Sequence, residues 1–268
     1  MELHPEPTRL QPWLREIWGY RDVISILVRK DFQTRYKRAS LGILWAVFLP
    51  LIQALVFVAI FSRVGHFQHL KYSYPIYVLS GTLAWSYYST AASVSSTAIV
   101  DGATLTDKVW FPRCSLVIVP VFSNLFGLFT SMVLLLAAMP LFHAHYTLRL
   151  FLLIPAMVWC ILFAFGFGLC TSALHVYFRD VRFIVQAAVL IWFYVTPIVY
   201  PASALKSIGP YFAYNPMTGI INLFQYAAAG RFGPMGKGFL VSAVATVLLL
   251  VIGLHAHRRR DRLFVDLL

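Results

Sequence analysis

Six apolar segments, each long enough to cross a lipid bilayer as a helix, constrain the fold of this chain more than any other feature. They lie at residues 41–62, 76–100, 115–140, 150–176, 184–200 and 239–256. A membrane-spanning helix needs about 20 mostly apolar residues. Since 60% of the residues are hydrophobic and only 12% are charged, no stretch remains for a separate soluble domain. The sequence therefore predicts an all-α membrane protein with six transmembrane helices in a single domain, residues 1–268.

The positions of Lys and Arg predict the orientation of these helices. Six crossings place both termini on the same side of the membrane. The N-terminal segment, the loops after the second and fourth spans and the tail 257–268 hold sixteen of the 22 Lys and Arg residues. By the positive-inside rule, both termini are then cytoplasmic. Because the basic residues flank the spans, the net charge of +12 indicates contact with lipid headgroups and not with nucleic acid.

Two further segments are expected at the membrane surfaces. Residues 8–28 alternate large apolar and charged side chains near helical spacing, which predicts an amphipathic interfacial helix in the cytoplasmic segment 1–38. This helix either only anchors the chain or also docks a cytoplasmic partner. The segment 201–237 is rich in Pro and Gly, and its apolar middle, 216–229, is too short to span. We expect an outer re-entrant helical hairpin there, either lining a wet path or forming a structural lid.

Several chemistries are disfavoured by residues that the sequence lacks. No Asp or Glu lies deep in a span, where an ion-coupled carrier usually holds one. The sequence has no phosphate-binding P-loop motif, so we do not expect this chain to hydrolyse ATP. The His and Cys spacings suit no metal site, and the outer loops have no carboxylate for a hydrolytic triad. We expect no catalytic residue, metal or cofactor in the chain itself.

Aromatic residues are abundant, at 16% of the chain. Some belong to the belts at the two membrane surfaces. Others lie within the spans, where they either pack against neighbouring helices or line a conduit and stack on the apolar faces of sugar rings. The sequence leaves both interpretations open. The conduit candidates are Trp45, Phe57, Trp85, Tyr88, Trp192, Phe193 and Tyr194.

Five short motifs follow one another along the chain. They are RYKRASLGILW from Arg35, KVWFPR at 108–113, RDV at 179–181, TPIVY at 196–200 and YNPM at 214–217. In order and spacing they resemble the transmembrane subunit of type-2 ABC exporters that carry polysaccharides and teichoic acids across the bacterial inner membrane. The tail reads Phe264-Val265-Asp266, a small departure from that family's usual F-A-D. The resemblance covers nearly the whole chain.

The resemblance implies a homodimer of six-span subunits that binds two copies of a separate ABC ATPase subunit. ATP and magnesium would bind in that partner. The ATPase-coupling residues implied are Asp101, Asp107, Lys108, Phe111, Pro112, Arg113, Arg179 and Asp180. The outer gate implied by the resemblance contains Pro197, Asn215, Pro216 and Gly219.

The substrate that the resemblance implies is a long glycan or polyol-phosphate chain on an undecaprenyl-diphosphate lipid. Arg35, Lys37 and Arg38 either meet the diphosphate at a cytoplasmic entrance or only fix the orientation of the chain. We therefore expect the permease subunit of an ATP-driven exporter of a lipid-linked polysaccharide, of the O-antigen, capsule or teichoic-acid type. The alternatives are a small-molecule or drug exporter of the same superfamily and an intramembrane lipid-processing enzyme.

Overall fold

The computed structural model describes residues 10–37, 42–64, 73–103, 111–202, 208–230 and 235–260. These residues form α-helices and short 3-10 helices and contain no β-strand. The α-helices are α1 (Leu10–Gly19), α2 (Arg21–Tyr36), α3 (Trp45–Val64), α4 (Tyr74–Asp101), α5 (Cys114–Ser123), α6 (Leu125–Leu141), α7 (Leu153–Tyr177), α8 (Val181–Val195), α9 (Thr218–Ala229) and α10 (Met235–Arg260). The 3-10 helices include Gly42–Leu44, Leu148–Leu152 and Gly209–Tyr214. The prediction of an all-α fold is confirmed.

Within the described residues, three helical segments are long and apolar enough to cross a membrane. They are Cys114–Leu141, Leu148–Tyr177 and Gly236–Arg259. The apolar helices Phe48–Phe61 and Val181–Val195 are shorter. The 28-residue helix α4 is not in this set, because Ser, Thr and Tyr interrupt its apolar sequence. The number of six crossings therefore stays a prediction.

Helix α4 lies at the centre of the molecule. It packs against α3, α5, α6, α7, α8 and α9, so most of its surface is buried. Some of its hydroxyl groups bond to its own backbone: Thr82 Oγ1 donates to the Val78 carbonyl at 2.8 Å, and Ser80 Oγ to the Tyr77 carbonyl at 3.0 Å. Such local bonds let polar side chains lie in a protein interior. A helix enclosed by other helices needs no continuous apolar outer face.

The long helices run between two ends of the molecule. At one end, the C-terminal parts of α4, α7 and α10 pack against the start of α5. Ile17 of α1 packs on the apolar cluster formed there. We call this the α1 end. At the other end, the start of α4 reaches the segment that follows α8, where the Tyr74 hydroxyl donates to the Val199 carbonyl at 2.7 Å. Because α9 lies beside this contact, we call it the α9 end.

The N-terminal segment differs from the prediction of a single amphipathic helix over 8–28. The structure has two helices in its described part, α1 and α2, which are separated at Tyr20. Tyr20 has φ −90° and ψ 12°, outside the helical range. It follows Gly19, and glycine is a poor helix former. Helix α2 then continues to Tyr36, so most of the basic stretch before the first apolar segment is helical.

The apolar segment predicted as the third span, 115–140, is also divided. Helix α5 ends at Ser123, and α6 begins at Leu125. Pro120 lies inside α5, where proline removes a backbone N–H donor and favours a kink. Asn124 Nδ2 donates to the Pro120 carbonyl at 2.6 Å. The side chain of Asn124 thus occupies the break between the two helices.

The described part of the predicted outer hairpin, 201–237, contains one short α-helix, α9, and the first residues of α10. Helix α9 has 12 residues and is buried against α4, α7 and α10. It ends at Ala229 and is followed by Gly230, whose φ of 77° is left-handed and therefore favours glycine. The stretch from α8 to α9 is irregular or 3-10 helical where it is described. The re-entrant position of this segment in a membrane stays a prediction.

Candidate functional site

Asn215 joins the end of α8 to the start of α9. Its side-chain oxygen accepts hydrogen bonds from the Trp192 indole at 2.8 Å and from the Met217 backbone N–H at 2.9 Å. Its side-chain nitrogen donates to the Val195 carbonyl at 3.2 Å and to Thr196 Oγ1 at 3.0 Å. A bond from an Asn side chain to the backbone two residues later is typical of a turn. One buried amide therefore connects α8, the turn after it and α9.

The segment 196–200 leaves α8 without regular secondary structure. Its carbonyl groups accept hydrogen bonds from three side chains of other helices: Tyr74, Tyr77 and Gln225. The Gln225 amide donates to the Pro197 and Ile198 carbonyls at 3.2 and 3.1 Å. A buried carbonyl without a partner is costly, so these side chains stabilise the irregular backbone. The sequence motif indicated Pro197 but not the residues that hold it.

Gly219 lies where α9 and α10 approach closely. Its backbone N–H donates to Ser242 Oγ at 2.9 Å, and that hydroxyl donates to the Gly238 carbonyl at 2.9 Å. A Cβ atom at position 219 would lie 2.6 Å from Ser242 Oγ and 2.8 Å from the Gly238 oxygen. Only glycine fits this contact without displacing a neighbour. Together with Pro216, which immediately precedes Met217, the four predicted gate residues therefore lie in one connected region at the α9 end.

Most of the predicted conduit residues form one aromatic cluster inside the molecule. Its members among the predicted residues are Phe57, Trp85, Tyr88, Trp192 and Phe193. The ring centroids of Trp192 and Tyr88 are 5.7 Å apart, and those of Phe57 and Phe193 are 5.5 Å apart. Tyr88 is fully buried, and Trp85 and Phe193 are nearly so. In this arrangement these three rings face other side chains and present no open surface.

The two remaining conduit candidates lie on the surface. Trp45 is 38% exposed and Tyr194 is 59% exposed. Trp45 borders a cleft of about 130 Å³ between α3, α4 and α6. Ser86, Thr90 and Ser131, whose side chains carry hydroxyl groups, also line this cleft. The cleft therefore combines an aromatic face with hydrogen-bonding groups.

Arg35, one of the predicted entrance residues, belongs to a polar cluster at the break between α5 and α6. Its guanidinium forms an ion pair with Asp31 at 3.0 Å and donates to Asn124 Oδ1 at 3.3 Å. Ser123 Oγ donates to the same Asp31 oxygen at 2.5 Å. These hydrogen bonds hold α2 against the break between α5 and α6. Arg35 is thus already paired with a carboxylate, whereas the nearby Lys37 is exposed.

The predicted coupling residues lie in two regions of the α1 end. The exposed ones are Asp101, at the close of α4, and Arg179 and Asp180, in the turn between α7 and α8. The buried ones are Phe111, Pro112 and Arg113, just before α5. A partner protein bound at this end can reach the first set directly. Three predicted site residues, Arg38, Asp107 and Lys108, lie outside the described residues.

Sequence analysis missed the polar side chains that hold these sites together. They are Tyr74, Tyr77, Ser123, Asn124, Gln225 and Ser242. A signal for most of them is present, because a polar side chain inside an apolar segment needs a partner in the protein interior. The signal does not say which partner it finds. Among the described residues, no three His, Cys, Asp or Glu side chains are grouped as a metal site requires.

Comparison with known families assigns most of the chain to one sequence family. The family model described as ABC-2 type transporter matches residues 22–228. This range contains the Arg35 cluster, the aromatic cluster and the Asn215 junction. It ends within α9.

Individual proteins are similar over almost their full lengths. The O-antigen export system permease protein RfbA of Myxococcus xanthus is 28% identical over 240 residues, covering 88% of this chain and 92% of the relative. A permease of the same name from Klebsiella pneumoniae is 24% identical over 259 residues, 92% of this chain and 95% of the relative. The polysialic acid transport protein KpsM of Escherichia coli is 21% identical over 241 residues, 89% of this chain and 93% of the relative.

Proposed function

Because the chain belongs to the ABC-2 type transporter family, we propose that it is the permease subunit of an ATP-driven exporter of a lipid-linked polysaccharide. One observation carries this proposal: the chain is similar, over nearly its whole length, to permeases named for O-antigen export and for polysialic acid transport. Both names refer to polysaccharides. The transported chain would move from the cytoplasm to the outer side of the bacterial inner membrane.

The proposed topology has six crossings, made by α3, α4, α5 with α6, α7, α8 and α10. Its support is that these helices run between the same two ends of the molecule. The α1 end carries the larger share of Lys and Arg, so we assign it to the cytoplasm. The α9 end then faces outward, with α9 as the re-entrant part of the outer hairpin.

The proposed energy source is a separate ABC ATPase subunit, bound in two copies at the α1 end. ATP and magnesium would be held by that partner. Asp101, Arg179 and Asp180 are exposed there and offer charges of both signs. Residues 111–113 are buried and lead directly into α5. A push on the surface would therefore be transmitted to a transmembrane helix.

The proposed conduit lies between two copies of the chain and is lined by α3 and α8. Only a narrow stripe of α8, formed by Val185, Val189 and Phe193, is buried in one protomer. Both helices expose a glutamine, Gln53 on α3 and Gln186 on α8. An uncharged amide facing lipid tails is costly, which favours a protein or wet surface on these faces. Homodimer contacts and a hydrated path supply such an environment.

The cleft beside Trp45 is the proposed place where a sugar ring meets the permease. A ring of this kind has apolar faces and hydroxyl edges, and the cleft offers an indole together with the hydroxyls of Ser86, Thr90 and Ser131. Tyr194 on α8 supplies a second exposed aromatic surface. The buried rings of Trp85, Tyr88 and Phe193 would support the conduit wall from behind.

The proposed entrance for the lipid diphosphate lies at the end of α2. Lys37 is exposed and free to contact an anionic headgroup, and Arg38 follows it in the sequence. Arg35 precedes them in the sequence, and Asp31 partly offsets its charge. We propose that Lys37 and Arg38 make the first contact with the diphosphate. Arg35 contributes from its fixed position.

The proposed outer gate is the Asn215 junction with the segment 196–200, Pro216 and Gly219. Its hydrogen bonds come from side chains, which can separate without unwinding a helix. Movement of α8 would displace Asn215, because Trp192 on α8 is hydrogen-bonded to it. The gate would then open at the α9 end as the polysaccharide passes.

The decisive experiment deletes the gene and examines the cell surface. We expect loss of one surface polysaccharide, its recovery with the intact gene, and co-purification of the chain with an ABC ATPase whose turnover rises with lipid-linked glycan. Unchanged surface polysaccharide together with altered sensitivity to small molecules would instead indicate a drug exporter. Chemical conversion of a lipid by the purified chain alone would indicate an enzyme.

A further inference from the structure

A cavity of about 600 Å³ opens at the α9 end. Residues 142–149, which connect α6 to α7, form one wall, and residues 228–230, at the end of α9, form another. Ser73, just before α4, completes the lining. The proposed conduit, entrance, gate and coupling surface do not include this cavity.

The rim of the cavity is basic. Three exposed residues that line it, His143, His145 and Arg149, carry nitrogen groups that bind anions. No Asp or Glu lines the cavity. The sequence contains none between Asp107 and Asp180 and none between Asp180 and Asp261. An anion in the cavity therefore meets a guanidinium and two imidazoles and no carboxylate from its walls.

Arg149 is held in place by α9. Its Nη1 donates to the Gly230 carbonyl at 3.3 Å, and the guanidinium carbon lies 5.4 Å from the centre of the Tyr226 ring. These contacts offset the partial negative charge at the end of α9. A guanidinium has five N–H donors, and no carboxylate in the described part of the chain forms an ion pair with this one. Arg149 is therefore fixed in position with donors left for a ligand.

His143 occupies a backbone position that favours glycine. Its φ is 54°, in the left-handed region. The backbone N–H of Ala144 donates to the Met139 carbonyl at 2.9 Å, and that of His143 to the Pro140 carbonyl at 3.2 Å. This is the pattern of a Schellman cap, which most often has glycine at the left-handed residue. Here the chain carries an imidazole on the cavity wall despite the conformational cost.

We propose that this cavity binds a phosphate group carried by a membrane lipid. A guanidinium pairs with phosphate through parallel N–H bonds, and the imidazoles add further donors at the rim. The proposed topology puts the cavity on the outer side, so its position relative to the membrane rests on the proposed function. The phosphate then belongs either to a phospholipid headgroup of the outer leaflet or to the diphosphate of the exported lipid.

The test measures lipid binding by native mass spectrometry on the full chain, purified with its ATPase in detergent. The probes are phosphatidylglycerol and undecaprenyl diphosphate, with diacylglycerol as the lipid without phosphate. We expect Arg149→Gln to raise the Kd for a phosphate-bearing probe about tenfold, since a charge-assisted hydrogen bond is lost. Arg182→Gln removes an exposed arginine of α8 at the opposite end and should leave the Kd unchanged.

His143→Gly provides a second variant, because Arg149→Gln also removes the contact that caps α9. Glycine suits the backbone at this position, so the melting temperature should hold or rise while the Kd increases about threefold. Tighter binding of phosphatidylglycerol identifies a headgroup, and tighter binding of undecaprenyl diphosphate identifies the exported lipid. Equal Kd values for both variants and the unchanged chain would overturn the site. Since the measurement needs no transport, that result would leave the proposed exporter function standing.

Discussion

The indole Nε1 of Trp192 donates a hydrogen bond of 2.8 Å to the side-chain oxygen of Asn215. The same indole packs against Trp85 and Tyr88 in the aromatic cluster. Trp192 thus belongs both to the core of the molecule and to the junction that leads into α9. A displacement of α8 therefore changes the aromatic cluster and the proposed gate together.

Replacing Asn215 by Ala should destabilise this junction. The change removes four hydrogen bonds and leaves the Trp192 N–H and Thr196 hydroxyl without this partner, at a cost of about 2–4 kcal/mol. The melting temperature of the purified protein and the amount of surface polysaccharide should both fall. Trp192→Phe removes only one of these bonds and keeps a ring in the cluster, so its effect should be smaller. Equal effects of the two variants would contradict the role given to Asn215.

Gly219→Ala should weaken the contact between α9 and α10. The added methyl would meet Ser242 Oγ at 2.6 Å, and overpacking of this kind costs about 1–3 kcal/mol. Gly236→Ala is the matched control, because a Cβ there has no neighbour within 4 Å. Thermal unfolding in detergent measures both. If Gly219→Ala unfolds at the same temperature as Gly236→Ala, the close approach of α9 and α10 does not require glycine at position 219.

The pair Asp31–Arg35 should contribute measurably to the docking of α2. Both side chains are mostly buried, with 30% and 22% exposure, and Ser123 adds a hydrogen bond to the same carboxylate. A double-mutant cycle with Ala at both positions should give a coupling energy of about 1–2 kcal/mol. The pair Arg21–Asp22 is a natural control. It is 3.9 Å apart and largely exposed, so its coupling should be below about 0.5 kcal/mol.

Replacing surface aromatic residues by Ala should reduce export, whereas replacing core aromatic residues should reduce folding stability. Trp45→Ala and Tyr194→Ala remove exposed rings, so we expect reduced polysaccharide export with little change in melting temperature. Trp85→Ala empties part of the packed cluster and should cost about 3–5 kcal/mol of folding stability. Normal export by both surface variants would remove these two rings from the proposed conduit.

Charge reversal at the turn between α7 and α8 should weaken the ATPase complex. Arg179→Glu and Asp180→Lys change exposed charges without disturbing the packed core, so the chain itself should remain folded. Co-purification of the ATPase and its stimulated turnover should decrease. Lys237→Glu, which reverses an exposed charge of α10 at the opposite end, serves as the comparison and should leave the complex intact. Undiminished binding in the reversed variants would place the ATPase elsewhere.

The helices were predictable, because long apolar segments leave few alternatives in a membrane protein. The breaks at Tyr20 and Asn124 were not predicted, since each depends on local backbone geometry inside a segment of otherwise suitable composition. The Asn215 junction was only partly predicted. A motif indicated Asn215, but its bond to Trp192 joins residues on different elements that the sequence does not place side by side.

The sequence did not predict which aromatic side chains face the core and which face outward. Helix α8 is apolar around most of its circumference, so its sequence does not reveal that Phe193 faces the core while Tyr194 faces outward. The buried position of Tyr88 also depends on packing, because other helices cover most of the surface of its helix. Helix packing decides these orientations.

The hydroxyl-rich sequence of α4 has a consequence for biogenesis. Because Ser, Thr and Tyr interrupt its apolar sequence, α4 gains less than the more apolar helices by moving from the insertion machinery into the lipid before its partners are made. Its neighbours α7 and α9 are synthesised only later, yet they cover much of its surface. Helix α4 should therefore wait beside the translocon until those helices arrive. A nascent chain arrested before α7 should leave α4 exposed to quality-control proteases, whereas one arrested after α9 should protect it.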